Sequence, residues 1–298
     1  MKPENFMALT GVILLVTIVI VTGALFSGIV YSAQPDIINM PFHKFIGHVT
    51  LLTGIISCFI YLKITDVPLI KGFGFGRNKN IFMQLILKGW LFGLLILSVL
   101  IMLYLVLGIY IIEEDLKLSL LFITKLFIKT LLAGSVIAII EESIFRGALF
   151  SGLEKKGGPL LAVIITSLLY ASVHFIKYRQ AVPAVDIYWF SGVLMIPDAL
   201  YRFSDPAIID SFLTLAVLGV FLSITRLKTG NIALAIGIHA GIVMVMKISR
   251  DITDYVDGNN LALLVNKYDH LLGILAVCWL ACLCIIYYRL TGTRYMTD

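Results

Sequence analysis

The sequence predicts an all-α, polytopic transmembrane helical bundle of about eight spans, and three observations carry that prediction. Of 298 residues, 60% are hydrophobic and only 14% are charged, where soluble domains carry about 25% charged residues. Mean hydropathy is +1.00. The apolar residues also gather into runs near the ~20 residues that cross a bilayer as a helix, separated by short polar segments. One bundle accounts for nearly the whole chain, so residues 1–298 read as a single integral-membrane domain. The net charge of +5 reads as juxtamembrane Lys and Arg. No basic cluster is long enough for nucleic acid, so the expected partner is the lipid bilayer.

In chain order, residues 6–31 form the first run. It is longer than the roughly 7–15 apolar residues of a signal peptide, so a retained span is expected, preceded by Lys2. Residues 45–62 span back. The following loop carries Lys63, Lys71, Arg77 and Lys79 around Gly72-Phe73-Gly74-Phe75-Gly76. Those glycines lack the dinucleotide-fingerprint spacing and no strand precedes them, so a flexible membrane-surface loop is expected. Residues 81–112 are overlong for one span, with Lys88 snorkelling near the start and Glu113-Glu114-Asp115 closing it.

Residues 118–140 make the next span and end on Glu141-Glu142. Lys155-Lys156-Gly157-Gly158-Pro159 is a turn, with proline at a helix start. The span at 160–175 ends on His174. Residues 177–205 break the pattern: Pro183 and Pro197 punctuate them, and Tyr188-Trp189-Phe190 is an interfacial aromatic group. A short interfacial or re-entrant helix near 186–200 is expected there. Spans follow at 208–224, 231–246 (carrying His239) and 271–288. Cys58, Cys278, Cys282 and Cys284 show no C-x-x-C metal spacing and read as small hydrophobes.

With the N-terminus inside, the loops at 63–79, 155–156, 226–228 and from 289 onward fall on one side, and acidic 113–115 on the other. The positive-inside rule then puts both termini in the cytoplasm, in the plasma membrane if the source is prokaryotic. Lys117, Lys177, Arg179, Lys247 and Arg250 oppose it on the outer side. On this topology Glu141 and the start of the His239 span lie toward the cytoplasmic half. His174 ends its span on the outer side, at odds with a shared site.

The chemistry concentrates at Glu141-Glu142-Ser143-Ile144-Phe145-Arg146-Gly147. An ionisable residue deep in a bilayer costs roughly 2.5–3.5 kcal/mol, which makes such a group a functional-site candidate. Glu142 and Arg146 are four apart and share a helix face, where they can pair. Glu141 points about 100° away and has no local partner. One carboxylate is thus structural and the other is left for work. His174, with Tyr170 one turn before it on the same face, and His239, between Gly237 and Gly241, are the other polar groups in apolar surroundings. The two glycines form a GxxxG spacing on the face opposite His239, so one face packs closely while the other presents the imidazole. His43, His48 and His270 read as surface residues near loops. The helix-borne zinc signature H-E-x-x-H is absent.

The ordered set Glu-Glu-x-x-x-Arg, aromatic-x-x-x-His and a His in a small-residue helix resembles the CAAX protease and bacteriocin-processing (CPBP, Abi, type II CAAX prenyl endopeptidase-like) family of glutamic-type intramembrane proteases. The resemblance covers about residues 131–246, within an expected catalytic core at 118–246. It implies that Glu141 activates the attacking water with help from His174, that Glu142 and Arg146 organise the site, and that His239 stabilises the oxyanion. Many members carry a second oxyanion donor, an asparagine, four residues after the last histidine. Here that position is Val243, which cannot donate. The resemblance further implies that Tyr188 to Gly192 line a substrate entrance.

The expected activity is hydrolysis of peptide bonds in a peptide or protein substrate in or at the membrane, without a cofactor. Desolvation raises a carboxylate toward the pKa of a base or acid working near pH 7. Zinc held by Glu141, His174 and His239 is the metal-dependent alternative. A non-catalytic peptide-binding or immunity protein is the alternative from another class, favoured by Val243. A transporter is a weaker third, since no internal repeat is evident.

Overall fold

In a bilayer a chain has no water to satisfy its backbone, so an apolar sequence closes its hydrogen bonds inside helices. The structure, a computed structural model, describes residues 3–292 except 35–36, 77, 115, 117–118 and 267–268. Lys2, Arg77, Asp115, Lys117 and the boundary expected at residue 118 therefore lie outside the described residues.

The elements are α1 (Pro3–Ala33), α2 (Phe42–Ile64), a one-turn α3 (Leu69–Gly72), α4 (Lys79–Val106), β1 (Tyr110–Ile112) and α5 (Leu120–Glu142). A π-helical segment (Ser143–Leu149) joins α5 to α6 (Phe150–Val173). Short α7 (Ser191–Leu194) and α8 (Ile196–Leu200) precede α9 (Ile209–Thr229), α10 (Ala233–Ile252), β2 (Thr253–Tyr255) and α11 (Ile274–Thr291).

Among the described residues, seven helical units are long and apolar enough to cross a membrane. One of them, Leu120–Val173, runs 54 residues and is broken at Gly158, whose φ of 82° interrupts the helix. A straight 54-residue helix would reach about 80 Å. The unit instead folds back at Gly158, since Glu141 and His174, on its two arms, meet. It thus supplies two of the eight crossings that the sequence predicts. The span expected to stop at residue 140 continues unbroken through the π segment, because Gly147, Ala148 and Gly152 pack while no glycine or proline breaks the backbone before Gly158. Pro159, with no N–H to leave unsatisfied, begins the return arm.

The helices that carry the site pack through glycines. Gly237 and Gly241 of α10 lie against Gly89 and Gly93 of α4: a Cβ at Gly237 would stand 2.1 Å from Ile86 O, and one at Gly93 2.2 Å from Ile238 O. Two GxxxG faces therefore meet backbone to backbone, on the side of α10 away from His239. On the other side, Gly134 of α5 admits Ala240 O, and Gly219 of α9 admits Ser167 of α6. The main core gathers Phe145, Phe150, Tyr170, Phe175, Leu218, Phe221 and Ile238 between these helices.

Three expectations are corrected. Residues 107–112 are not helical: α4 ends at Val106, Gly108 takes a left-handed φ of 65°, and Tyr110–Ile112 pairs antiparallel with Thr253–Tyr255 in the register Tyr110↔Tyr255. A β-branched pair after a left-handed glycine favours the strand. The glycine-rich loop is not a surface loop but a packed wedge. Ser151 Oγ donates to Gly72 O (3.0 Å), Ile232 N donates to Gly74 O (3.0 Å), and Phe73 lies against Gly147. Of the three histidines expected at the surface, His48 is exposed, but His43 and His270 are half-buried. His270 stacks on Tyr255, with ring centroids 4.0 Å apart.

One end of the bundle gathers the basic loops. Lys155 bonds Asp66 (3.0 Å), Asn5 lies beside Gly157, and Lys228 bonds Gly292 O. Residues 177–205 sit at the opposite end and contain no helix longer than five residues. They press on α1, where Gly28 admits Trp189 O and Gly192 admits Ala24 O. Tyr188, Trp189, Leu194 and Tyr201 are exposed there, as residues of an interfacial belt are.

Candidate active site

The five polar residues singled out in the sequence come together where α5, α6 and α10 meet. Folding back at Gly158 explains how. Glu141 precedes that glycine by 17 residues and His174 follows it by 16, so at about 1.5 Å per residue both stand about 24 Å from the turn. Equal arms return His174 to the level of Glu141, which removes the topological conflict. His239 reaches the same level from the second turn of α10.

Glu142 and Arg146 are each fully buried and joined by Nη1 to Oε1 at 3.1 Å. Arg146 Nη2 also donates to Gly219 O at 3.3 Å, and its guanidinium lies 4.3 Å from the Tyr170 ring centroid. The Gly219 contact comes from α9, a helix without a sequence motif. The π segment begins directly after Glu142. Such segments are frequent at functional sites, and a helical pattern of apolar residues carries no signal for one.

His239 is 3% exposed and held from both sides. Its Nδ1 lies 2.8 Å from Glu142 Oε1. A carboxylate paired with arginine only accepts, so Nδ1–H is the donor and a neutral ring leaves Nε2 bare. His239 Nε2 faces Glu141 Oε2 at 3.8 Å. His174 is fixed in the same sense: its Nδ1 donates to Tyr170 O at 2.7 Å, and its Nε2 faces Glu141 Oε2 at 4.0 Å.

Three acceptors therefore converge: one carboxylate oxygen and two imidazole nitrogens. Glu141 Oε2 is enclosed yet has no hydrogen-bond partner among the described residues. Neither the 3.8 nor the 4.0 Å separation is a hydrogen bond. A water, with two hydrogens to give, satisfies two of the three: one placed about 2.8 Å from Oε2 and from His174 Nε2 fits with a bent bridge. The side chains of Glu141 and His174 are 27% and 31% exposed, so this spot opens outward while Glu142 and Arg146 are sealed behind it. Val243, one turn beyond His239, is buried at 6% exposure and adds no polar atom.

The donor set Glu141, His174 and His239 suits zinc in kind, and both imidazoles have the anchored Nδ1–H that metal ligands use. The spacing suits it less. With bonds of about 2.1 Å, separations of 3.8 and 4.0 Å require angles of about 130° and 144°, far from tetrahedral. Among the described residues no group of three His, Cys, Asp or Glu has metal-binding spacing. As placed, these residues do not fit a tetrahedral zinc.

Residues 123–245 match the family described as Rce1-like, the type II CAAX prenyl endopeptidase Rce1-like family. No curated protein and no solved structure matches the chain. The matched stretch runs from the first turn of α5 into α10 and holds all five polar residues, so the site of this integral-membrane chain lies within the stretch that is similar to that family.

Proposed function

We propose that this protein is an intramembrane endopeptidase in which Glu141 activates water to hydrolyse peptide bonds of membrane-associated substrates. The observation that carries the reading is the enclosed, unpartnered Glu141 Oε2 facing two bare imidazole nitrogens. A water there donates one hydrogen to Glu141 and the other to His174 Nε2, which directs an oxygen lone pair outward at an approaching carbonyl. As the C–O bond forms, Glu141 takes the proton. It returns the proton to the leaving amine as the C–N bond breaks. Glu142, neutralised by Arg146, fixes the tautomer of His239. That ring can donate from Nε2 to an oxyanion only as an imidazolium. The apolar surroundings strengthen each of these interactions. The basic end of the bundle faces the cytoplasm on this reading, following the positive-inside rule.

The test is a comparison of membrane-protein termini in cells expressing the wild type or Glu141→Gln at equal abundance. The substitution keeps size and removes the base. New termini found only with the wild type support the reading and name the substrate. Identical termini in both overturn it, and leave the peptide-binding protein that Val243 favours. Treating purified protein with 1,10-phenanthroline separates the zinc-dependent version: the glutamate reading expects undiminished cleavage, and loss restored by added zinc overturns it.

A further inference from the structure

Hydrolysis through Glu141 moves an electron pair onto the substrate carbonyl oxygen, and that oxygen needs donors. Most candidates at the site are spent. His174 Nδ1–H goes to Tyr170 O, and His239 Nδ1–H to Glu142. Arg146 is committed to Glu142 and Gly219 O, with its Nε sealed away. Val243 has none to offer. Ser172 Oγ donates to Leu168 O, and Ser143 stands two residues after Glu141, on the far side of the helix.

Tyr170 is different. Its ring sits among the site residues, with centroid separations of 4.7 Å to His174, 5.9 Å to His239 and 5.5 Å to Phe145. The residue is 1% exposed. A tyrosine this deeply buried normally finds a partner for its hydroxyl, as Tyr104 does with Leu271 O and Tyr110 with His270 O. The Tyr170 hydroxyl makes no hydrogen bond among the described residues, and it is not one of the sealed polar atoms, as Glu142 Oε2 and Arg146 Nε are. The Arg146 guanidinium lies 4.3 Å from the ring centroid and braces its face.

Resting on the endopeptidase reading, we infer that the Tyr170 hydroxyl is the oxyanion donor that Val243 lacks: it donates to the substrate carbonyl oxygen as the tetrahedral intermediate forms. The hydroxyl keeps its proton throughout. The carbonyl π pair moves to oxygen on attack and re-forms the double bond when the amine leaves.

The experiment measures cleavage of a prenylated peptide with three residues beyond its prenyl-cysteine, by protein in proteoliposomes. Tyr170→Phe keeps the ring that packs on His174, Phe145 and Arg146. It is expected to lower kcat about 10²–10³-fold with KM unchanged. Val243→Asn in that background is expected to restore at least tenfold, which a merely structural role would not allow. A Tyr170→Phe kcat within threefold of wild type overturns the inference, as does a loss that Val243→Asn leaves untouched. Should Tyr170→Phe fail to fold, a fluorinated tyrosine at 170 keeps the packing. It retains the hydroxyl as a stronger donor, so kcat is expected to hold or rise with KM unchanged, and a kcat lowered tenfold or more overturns the inference. Glu141→Gln separates the two readings. If it cleaves at the wild-type rate, the glutamate mechanism falls. If it is silent while Tyr170→Phe is near wild type, only the Tyr170 role falls.

Discussion

Replacing Arg146 with methionine isolates what holds the site together. Arg146 and Glu142 are each fully buried, and in an effective dielectric of about 20 a pair 3.1 Å apart interacts by about 5 kcal/mol. Relief of the arginine's own desolvation returns part of that. Removing one partner of a buried pair typically costs about 3–5 kcal/mol. At about 2–4 °C per kcal/mol, Arg146→Met is expected to lower the melting temperature in detergent by about 6–20 °C. Glu142→Gln, which strands the guanidinium instead, should cost as much. The double variant Glu142→Gln/Arg146→Met buries no unpaired charge and is expected to melt no lower than the worse single variant. Melting by intrinsic fluorescence, with recovery on size exclusion after heating, reads all four proteins. A loss in the double equal to the sum of the singles, or an Arg146→Met change under 2 °C, would refute the reasoning.

Two further outcomes follow from the packing and the topology. Gly237→Ala places a methyl 2.1 Å from Ile86 O, whereas Gly47→Ala meets nothing within 4 Å. The first is expected to separate α4 from α10 and reduce the monodisperse fraction severalfold, and the second to leave it unchanged, by fluorescence-detected size exclusion. Cysteines introduced at Lys155 and Val185, in a background with the native cysteines replaced, should label with a membrane-impermeant maleimide from opposite sides of intact cells, Lys155→Cys only after permeabilisation. Labelling of both without permeabilisation would contradict the orientation.

Much of the site was legible because its signals are local. Glu142 and Arg146 pair across one helical turn, and Gly237 and Gly241 pack on the face away from His239; both follow from 3.6 residues per turn. His174 was recognisable as a polar residue in an apolar run but stood at the wrong depth, since the expected span ended at residue 140. The two glutamates read as the end of the apolar run, whereas Glu142 and Arg146 bury each other's charge and let the helix run on. The packed glycine loop and the Gly219 carbonyl under Arg146 were missed because their contacts are not local: Phe73 meets Gly147 74 residues away, and Arg146 meets Gly219 73 residues away.

The sequence by itself determined that this is a membrane bundle, since the cost of burying backbone polar groups admits only helices for runs this apolar, and it marked which side chains are too costly to be incidental. Only the tertiary structure decided how they face one another. Glu142 and the Tyr170 carbonyl fix the tautomers of two histidines and leave their bare nitrogens, with Glu141, around one spot. The Tyr170 hydroxyl, which the sequence marked only as the aromatic one turn before His174, is left without a hydrogen-bond partner among the described residues. The first depends on a hydrogen bond between residues 97 apart, and the return of the chain at Gly158 brings Tyr170 and His174 to that pair.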